Sequence, residues 1–293
     1  MAAYVGRFAP SPTGPLHFGS LVAALASYLD ARAHGGTWLL RMEDVDETRC
    51  HAHFADDILA TLTAFGFTWD GPVLVQSQRT ARYAAALAKL HARGLTYACT
   101  CSRREIADSA PPGMDGPVYP GTCRLARHGE TGNAIRAITP DQDVNFTDRV
   151  QGTRSQNLAH DIGDFVLKRR DTLFAYQLAV VVDDADQGVT HIVRGADLLD
   201  STPRQIYLAE ALGYAVPSFL HIPVVTNEAG QKLSKQTLAA GISTRDACET
   251  LVAALTFLHQ PITRHAAPAD LLAAAVTTWD VAKIPHVRGC TAG

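Results

Sequence analysis

Apolar residues in the first third of the chain keep two alternating rhythms. Residues 4–8 read as a short buried strand, residues 16–33 as an apolar helix ended by Gly35-Gly36, and residues 37–42 as a second buried strand. Phe54, Ile58, Leu62 and Phe65 recur at helical spacing, and residues 73–75 carry another strand signal. Tyr83, Leu87 and Leu90 stripe a further helix that Gly94 stops from a C′ position. This repetition of strand and helix predicts a parallel sheet with crossover helices. The rhythm breaks over residues 96–150, where Pro111-Pro112-Gly113, Pro117, Pro120-Gly121 and a hairpin-like stretch at 135–152 read as an insertion. It returns with a strand at 189–193, a capping box with Pro at N1 in Thr202-Pro203-Arg204-Gln205, and a last strand at 221–226. Ala247, Leu251, Leu255 and Leu258 then stripe a helix, with another after Pro268. The predicted class is α/β: a Rossmann-like parallel sheet split by an insertion, with a short helical C-terminal tail. The predicted units are a first half of the nucleotide-binding fold at 1–95, a connective insertion at 96–175, a second half at 176–240 and the tail at 241–293.

Composition narrows the class. A chain of 293 residues, 47% hydrophobic and 19% charged, buries a real core and is neither collagen-like nor disordered. The N-terminus lacks the basic and apolar regions of a secretory signal, and the longest apolar run, residues 21–29, is well short of the ~20 residues that span a bilayer. The expectation is a soluble cytoplasmic protein without a membrane partner. A net charge of −3 gives no global field for a polyanion, so any nucleic-acid surface must be a local patch. Six cysteines are too few for a disulfide framework in a chain this long. Cys99, Cys101 and Cys123 cluster, and with Tyr119 they suit a four-coordinate structural zinc site; His128 or water are the alternatives to Tyr119. Cys50, Cys248 and Cys290 have no partner pattern.

Two stretches carry the chemistry. Arg7-Phe8-Ala9-Pro10-Ser11-Pro12-Thr13-Gly14-Pro15-Leu16-His17-Phe18-Gly19-Ser20 follows a strand directly and opens a helix, where unpaired N–H groups and the helix dipole favour an anion. His17 sits to donate to a phosphate, and Gly19 allows close approach; taken alone, the stretch is a Pro-rich connector with a capping Thr13. Lys232-Leu233-Ser234-Lys235-Gln236 follows the last sheet strand on a loop after Gly230 and suits a clamp on transferring phosphate; taken alone, it is a solvated basic loop. Together they resemble the HIGH and KMSKS signatures of class I aminoacyl-tRNA synthetases. The wording Pro10-Ser11-Pro12-Thr13, where a glutaminyl enzyme typically carries Pro-Glu-Pro-Asn, resembles the glutamyl branch. So do Arg41-Met42-Glu43-Asp44-Val45-Asp46, Val193-Arg194-Gly195-Ala196-Asp197-Leu198 and Ser201-Thr202-Pro203-Arg204-Gln205. The resemblance covers about residues 4–258.

That resemblance implies a set of roles. Arg7, Tyr176 and Arg194 would hold the side-chain carboxylate of L-glutamate, and Ser11 and Glu43 its α-amino group, with Ala9 lining the same site. His17, Gly19, Lys232, Ser234 and Lys235 would bind ATP with Mg²⁺, His17 and Lys235 acting on the reacting phosphate. No protein nucleophile is needed, because the substrate carboxylate attacks phosphorus itself. Departures are Ser20 for the second His of HIGH, and Leu233 and Gln236 within KMSKS. The chain ends soon after the catalytic part, and with the Cys99-x-Cys101…Tyr119-x-x-x-Cys123 spacing this resembles members of the branch that esterify queuosine in tRNA(Asp). The implied partners are glutamate, ATP and queuosine-bearing tRNA(Asp), the chain acting as a monomer. Arg103, Arg104, Arg124 and Arg127 would form a local phosphate-contacting patch. The alternatives are a short glutamyl-tRNA synthetase charging tRNA(Glu), and a non-catalytic glutamate- or nucleotide-binding paralogue.

Overall fold

A computed structural model describes residues 3–114, 116–126, 128–227, 241–263 and 266–291. Val5–Phe8, Thr37–Met42 and Leu74–Val75 form a parallel sheet in that spatial order. His191–Gly195 and Ser218–Ile222 form a second parallel pair. Asp143–Asp148 runs parallel beside Ser218–Ile222, Phe219 opposite Asp148, and carries its antiparallel hairpin partner Gly152–Asn157. The two sheets meet at a seam: the Thr190 N–H donates to the Val5 carbonyl at 2.9 Å, and Thr190 Oγ1 accepts the Val5 N–H at 2.9 Å. Strand order reverses at this seam, with Val5–Phe8 beside His191–Gly195, and open α/β sheets bind ligands outside the carboxyl ends of strands at such a point. The α/β, Rossmann-like expectation is met.

The first helix, Phe18–Ala33, is the hub of the core. Leu21, Leu25 and Leu29 are wholly buried and cluster with Trp38 and Leu40 of the second strand and Ile58 and Leu62 of helix Ala52–Ala64. Leu251 and Leu255 of Ala247–Phe257 and Leu271 and Leu272 of Pro268–Thr278 join the same cluster. Each such side chain contributes ~1.5–3 kcal/mol. The helical tail therefore shares the core of the nucleotide-binding sheet. One buried carboxylate ties the parts together: Asp30 accepts Arg149 Nη2 at 2.9 Å, Trp279 Nε1 at 3.0 Å and the Tyr4 hydroxyl.

Several elements differ from the periodicity reading, each for a local reason. The first helix starts at Phe18 rather than residue 16, because His17, not Thr13, is its extended N-cap. Thr202–Leu212 has Pro in its first turn but no capping-box bond; its N-cap Ser201 ends a 3₁₀ turn, and the Thr202 hydroxyl is engaged by Arg194. The stretch at 135–152 is not one hairpin. Ala134–Ala137 pairs antiparallel with Thr96–Cys99 and Val166–Lys168, while Asp143–Asp148 joins the main sheet. The strand at 221–226 divides at Pro223, which lacks an N–H for a continuous ladder: Ser218–Ile222 stays in the main sheet and Val224–Thr226 pairs with Gly289–Thr291. Among the described residues no helix is long and apolar enough to cross a membrane.

Removing the Asp30 carboxylate strands a half-buried guanidinium. Asp30→Ala is expected to lower unfolding free energy by about 3 kcal/mol or more, read by urea denaturation. A loss below about 1 kcal/mol would show that the tail and the first helix hold together without it.

Candidate active site

The site begins at the carboxyl end of the first strand. Arg7, 3% exposed, places Nε 3.0 Å from Asp184 Oδ1 and Nη2 3.5 Å from Oδ2. Arg41, wholly buried at the end of the second strand, donates through Nη1 to the same Asp184 oxygen at 2.7 Å and to Gln187 Oε1 at 2.8 Å, and through Nη2 to Glu43 Oε1 at 3.1 Å. Asp184 lies on helix Tyr176–Asp186, directly after Asp183. Successive helical residues diverge by about 100°, so the two carboxylates serve different sides. Asp183 takes Gln76 Nε2 at 2.8 Å, Arg79 Nε at 2.6 Å and the Tyr83 hydroxyl at 2.7 Å. Burial works against an ionised Asp184, but Arg41 and Arg7 outweigh it and hold that carboxyl below its ordinary range. At Glu43 burial wins over the same two arginines and pushes the carboxyl up.

Arg194 is different. It is 5% exposed at the end of His191–Gly195, and it donates through Nε to His221 Nε2 at 3.0 Å and through Nη2 to Thr202 Oγ1 at 3.0 Å and the Leu198 carbonyl at 3.3 Å. None of these partners is an anion, and its buried Nη1 has no partner among the described residues. Burial accordingly lowers its pKa, whereas Arg41, in contact with the carboxylates of Asp184 and Glu43, is raised. Tyr176, first residue of its helix, shares the field: burial and Glu43 push its phenol up, and Arg194 and Arg7 pull against them. Three guanidiniums thus stand at this seam with the carboxylates of Asp184 and Glu43, and Asp148 lies behind His221; among the described residues Arg194 touches no carboxylate, and its Nη1, like Arg41 Nε, has no hydrogen-bond partner. Such a group is costly unless a ligand completes it.

The loop after the first strand is stitched to the second. The Pro10 carbonyl accepts the Glu43 N–H at 2.9 Å, and the Pro12 carbonyl accepts the His51 N–H at 3.0 Å. Ser11 is exposed and Ala9 half-buried on this loop, and Gly19 sits in the first helical turn. His17 Nδ1 accepts the Ser20 N–H at 3.3 Å, and Nε2 lies 3.0 Å from Ser20 Oγ. Ser20, the departure from HIGH, is thereby His17's partner. The Ile242 N–H donates to the Leu16 carbonyl at 3.0 Å, so the chain returns beside the loop just after residue 240. Lys232, Ser234 and Lys235 lie outside the described residues. A cleft of about 390 Å³ borders this edge, lined by Pro12, Met42, Asp44, His51, Val75 and Ser77 among others.

A separate cluster lies in the middle region. The Cys99, Cys101 and Cys123 sulfurs all lie within 4.8 Å of one another, with Cys101 Sγ 3.5 Å from Cys123 Sγ. The Tyr119 hydroxyl is 3.3 Å from both Cys99 Sγ and Cys101 Sγ. Zinc–thiolate bonds of about 2.3 Å require S···S edges of roughly 3.8 Å, so the donor set fits a tetrahedral ion with little movement. Tyr119 is brought in by a bridge to Gly163, whose positive φ and close approach to the Tyr119 backbone leave no space for a side chain. At Cys123 burial opposes ionisation, but bonds from Tyr119 and Thr100 outweigh it and bring the thiol down to about 6. His128 is exposed. Of the arginines expected to form a basic patch around the cluster, Arg103 and Arg104 are exposed on the helix Arg103–Ser109, Arg124 is paired with Asp164, Nε 2.6 Å from Oδ2, and Arg127 lies outside the described residues.

The structure gathers Arg7, Glu43, Tyr176 and Arg194 at the sheet seam, and Cys99, Cys101, Tyr119 and Cys123 in one cluster apart from it. Sequence reading missed Asp184 and His221 as partners of the site arginines. Asp183-Asp184 following Val180-Val181-Val182 was the available signal for the first, since two acids inside an apolar helix face demand buried partners. Residues 4–258 match the family described as tRNA synthetases class I (E and Q), catalytic domain. The chain belongs to that family. Within it, proteins named glutamyl-Q tRNA(Asp) synthetase are similar over nearly the whole chain. The one from Thiobacillus denitrificans is 55% identical over 97% of this chain and 96% of its own length. That from Dechloromonas aromatica is 57% identical over the same shares. Among solved structures, glutamate-tRNA synthetase from Elizabethkingia anophelis superposes with a TM-score of 0.83 at 24% identity, over 98% of this chain and 67% of that one.

The depressed Asp184 carboxyl contributes stability that is complete above the unfolded-state pKa near ~3.9 and is lost as pH falls through its lower folded value. Asp184→Asn is therefore expected to cost about 3 kcal/mol at neutral pH, the gap to wild type narrowing in acid. Urea unfolding at several pH values checks this; a gap independent of pH would exclude the ion pair as its source.

Proposed function

We propose that this chain activates L-glutamate with ATP, without tRNA, to glutamyl-adenylate and transfers the glutamyl group to queuosine at the wobble position of tRNA(Asp). The observation that carries the amino-acid choice is the buried Arg194 Nη1, which has no hydrogen-bond partner among the described residues, on a guanidinium whose other contacts are all neutral. A glutamate side chain supplies the missing anion. Its carboxylate accepts from Arg194 and Arg7, with the Tyr176 phenol as a further donor. The α-ammonium faces Glu43 and the loop carrying Ala9 and Ser11. The names of the relatives support queuosine in tRNA(Asp) as the acceptor, and the cleft beside Glu43 is an open approach for it. Both reactants of the first step, and the tRNA, place the work in the cytoplasm.

Chemistry then needs positioning rather than a protein nucleophile. The glutamate α-carboxylate oxygen attacks the α-phosphorus in line, the bond to the β-phosphate oxygen breaks, and pyrophosphate leaves with the electron pair. N–H groups at the start of Phe18–Ala33 and the His17 ring meet the phosphates, joined by Lys232, Ser234 and Lys235. Gly19 lets the nucleotide approach the first helical turn. Magnesium bound with ATP supplies further charge neutralisation. In the second step a hydroxyl of the cyclopentenediol attacks the acyl carbon, AMP departs, and the hydroxyl proton passes to the departing phosphate.

Glutamate-dependent ATP–pyrophosphate exchange is expected without any tRNA, and labelled glutamate is expected on queuosine-containing tRNA(Asp) alone. Label on tRNA(Glu), or equally on tRNA(Asp) lacking queuosine, would refute the acceptor and spare the activation step. Arg194→Gln is expected to raise the glutamate KM roughly 10- to 100-fold, the value of one charge-assisted hydrogen bond.

Cys99, Cys101, Cys123 and Tyr119 would hold a structural zinc ion, a cross-link for the middle region that adds nothing to the chemistry. Cys101→Ser is expected to lose the metal and lower the melting temperature while leaving the exchange rate within a few-fold of wild type. Elemental analysis finding no zinc in the intact protein would remove this part of the proposal.

A further inference from the structure

We infer that His221 and Asp148 are positioning residues for glutamate: together they fix the Arg194 guanidinium by imposing a single imidazole tautomer. The inference rests on the reading of Arg194 as the carboxylate-binding cation. An arginine Nε–H can only donate, so His221 Nε2, 3.0 Å away, must accept. The ring proton then sits on Nδ1, which faces Asp148 Oδ2 at 2.6 Å. Asp148 is itself immobilised: Oδ1 accepts the N–H groups of Val150 at 3.0 Å, Gln151 at 2.8 Å and His221 at 3.2 Å. Both side chains are completely buried. Burial and the Arg194 charge, acting against Asp148, bring His221 down to about 4, so the ring is neutral at working pH and able to accept.

The arrangement leaves Arg194 with one rotational solution. Nε is taken by His221 and Nη2 by Thr202 and Leu198, so Nη1 is the nitrogen left for ligand. Asp148 comes from the strand Asp143–Asp148, far from the site in sequence, and reaches it because that strand lies against Ser218–Ile222.

Asp148→Asn tests this with almost no change of shape. Three backbone N–H groups keep the amide oxygen at the Oδ1 position, so the amide NH₂ must face His221 Nδ1. The ring proton is driven to Nε2, where it opposes the Arg194 Nε–H. The expected result is a glutamate KM raised roughly 10- to 100-fold, with the ATP KM within about 2-fold of wild type. His221→Gln, whose amide can accept from Arg194 and donate to Asp148, is expected to stay within a few-fold of wild type, and His221→Leu to behave as Asp148→Asn. In ¹⁵N-histidine-labelled protein, the His221 ring is expected to change from Nδ1–H to Nε2–H in Asp148→Asn. Equal rises in both KM values, an unchanged glutamate KM, or an unchanged tautomer would overturn the inference. If Asp148→Asn does not fold, the contrast between His221→Gln and His221→Leu decides it by the same KM split. Absence of exchange in wild type would instead refute the proposed function, and the tautomer readout would still decide whether Asp148 sets the ring.

Discussion

A network of buried arginines and carboxylates at the sheet seam governs this molecule. Arg7 and Arg41 share Asp184, Arg41 also holds Glu43, and among the described residues Arg194 has no anion in contact. Charged groups removed from water are tolerated only when their partners are complete. At the sheet seam Nε and Nη2 of Arg194 are therefore held by neutral partners, and the guanidinium is fixed with no counter-ion in contact among the described residues. Rigidity matters as much as charge, because an arginine free to swing toward water would bind an incoming acid only after being reordered.

The rest of the fold serves that seam. The helix Tyr176–Asp186 delivers Asp184 to the seam arginines, while the equally buried Asp183 locks Gln76, Arg79 and Tyr83 on another side. The middle region is more than a decoration on a nucleotide-binding core. One of its strands enters the main sheet beside Ser218–Ile222 and contributes Asp148, while the cysteine cluster closes its far end.

Most of the architecture was legible in the chain. Strands flanked by glycines and helices striped at Leu21, Ile58 and Leu87 declare themselves because each depends on its own neighbours. Failures occurred where distant partners decide the outcome. Pro223 splits a run that looks like one strand, and the Thr202 hydroxyl leaves its capping role for Arg194. The site shows the same division. Arg7, Glu43, Tyr176 and Arg194 could be named from motif wording, and the three cysteines from spacing. Their pairing could not: that Arg194 leans on His221 and Arg124 turns inward to Asp164 depends on register between segments that share no local pattern.

The carboxylate of Asp30 adds a matter of timing. Its partners Arg149 and Trp279 stand 119 and 249 positions downstream. While the chain is being made on a ribosome, the first helix exists long before either partner has been translated. It must wait, its buried face unfinished, until Ala247–Phe257 and Pro268–Thr278 leave the exit tunnel. Non-local closure of this kind slows folding and lengthens the interval in which apolar surface is exposed. Completion of the core around the first helix thus awaits the synthesis of Trp279.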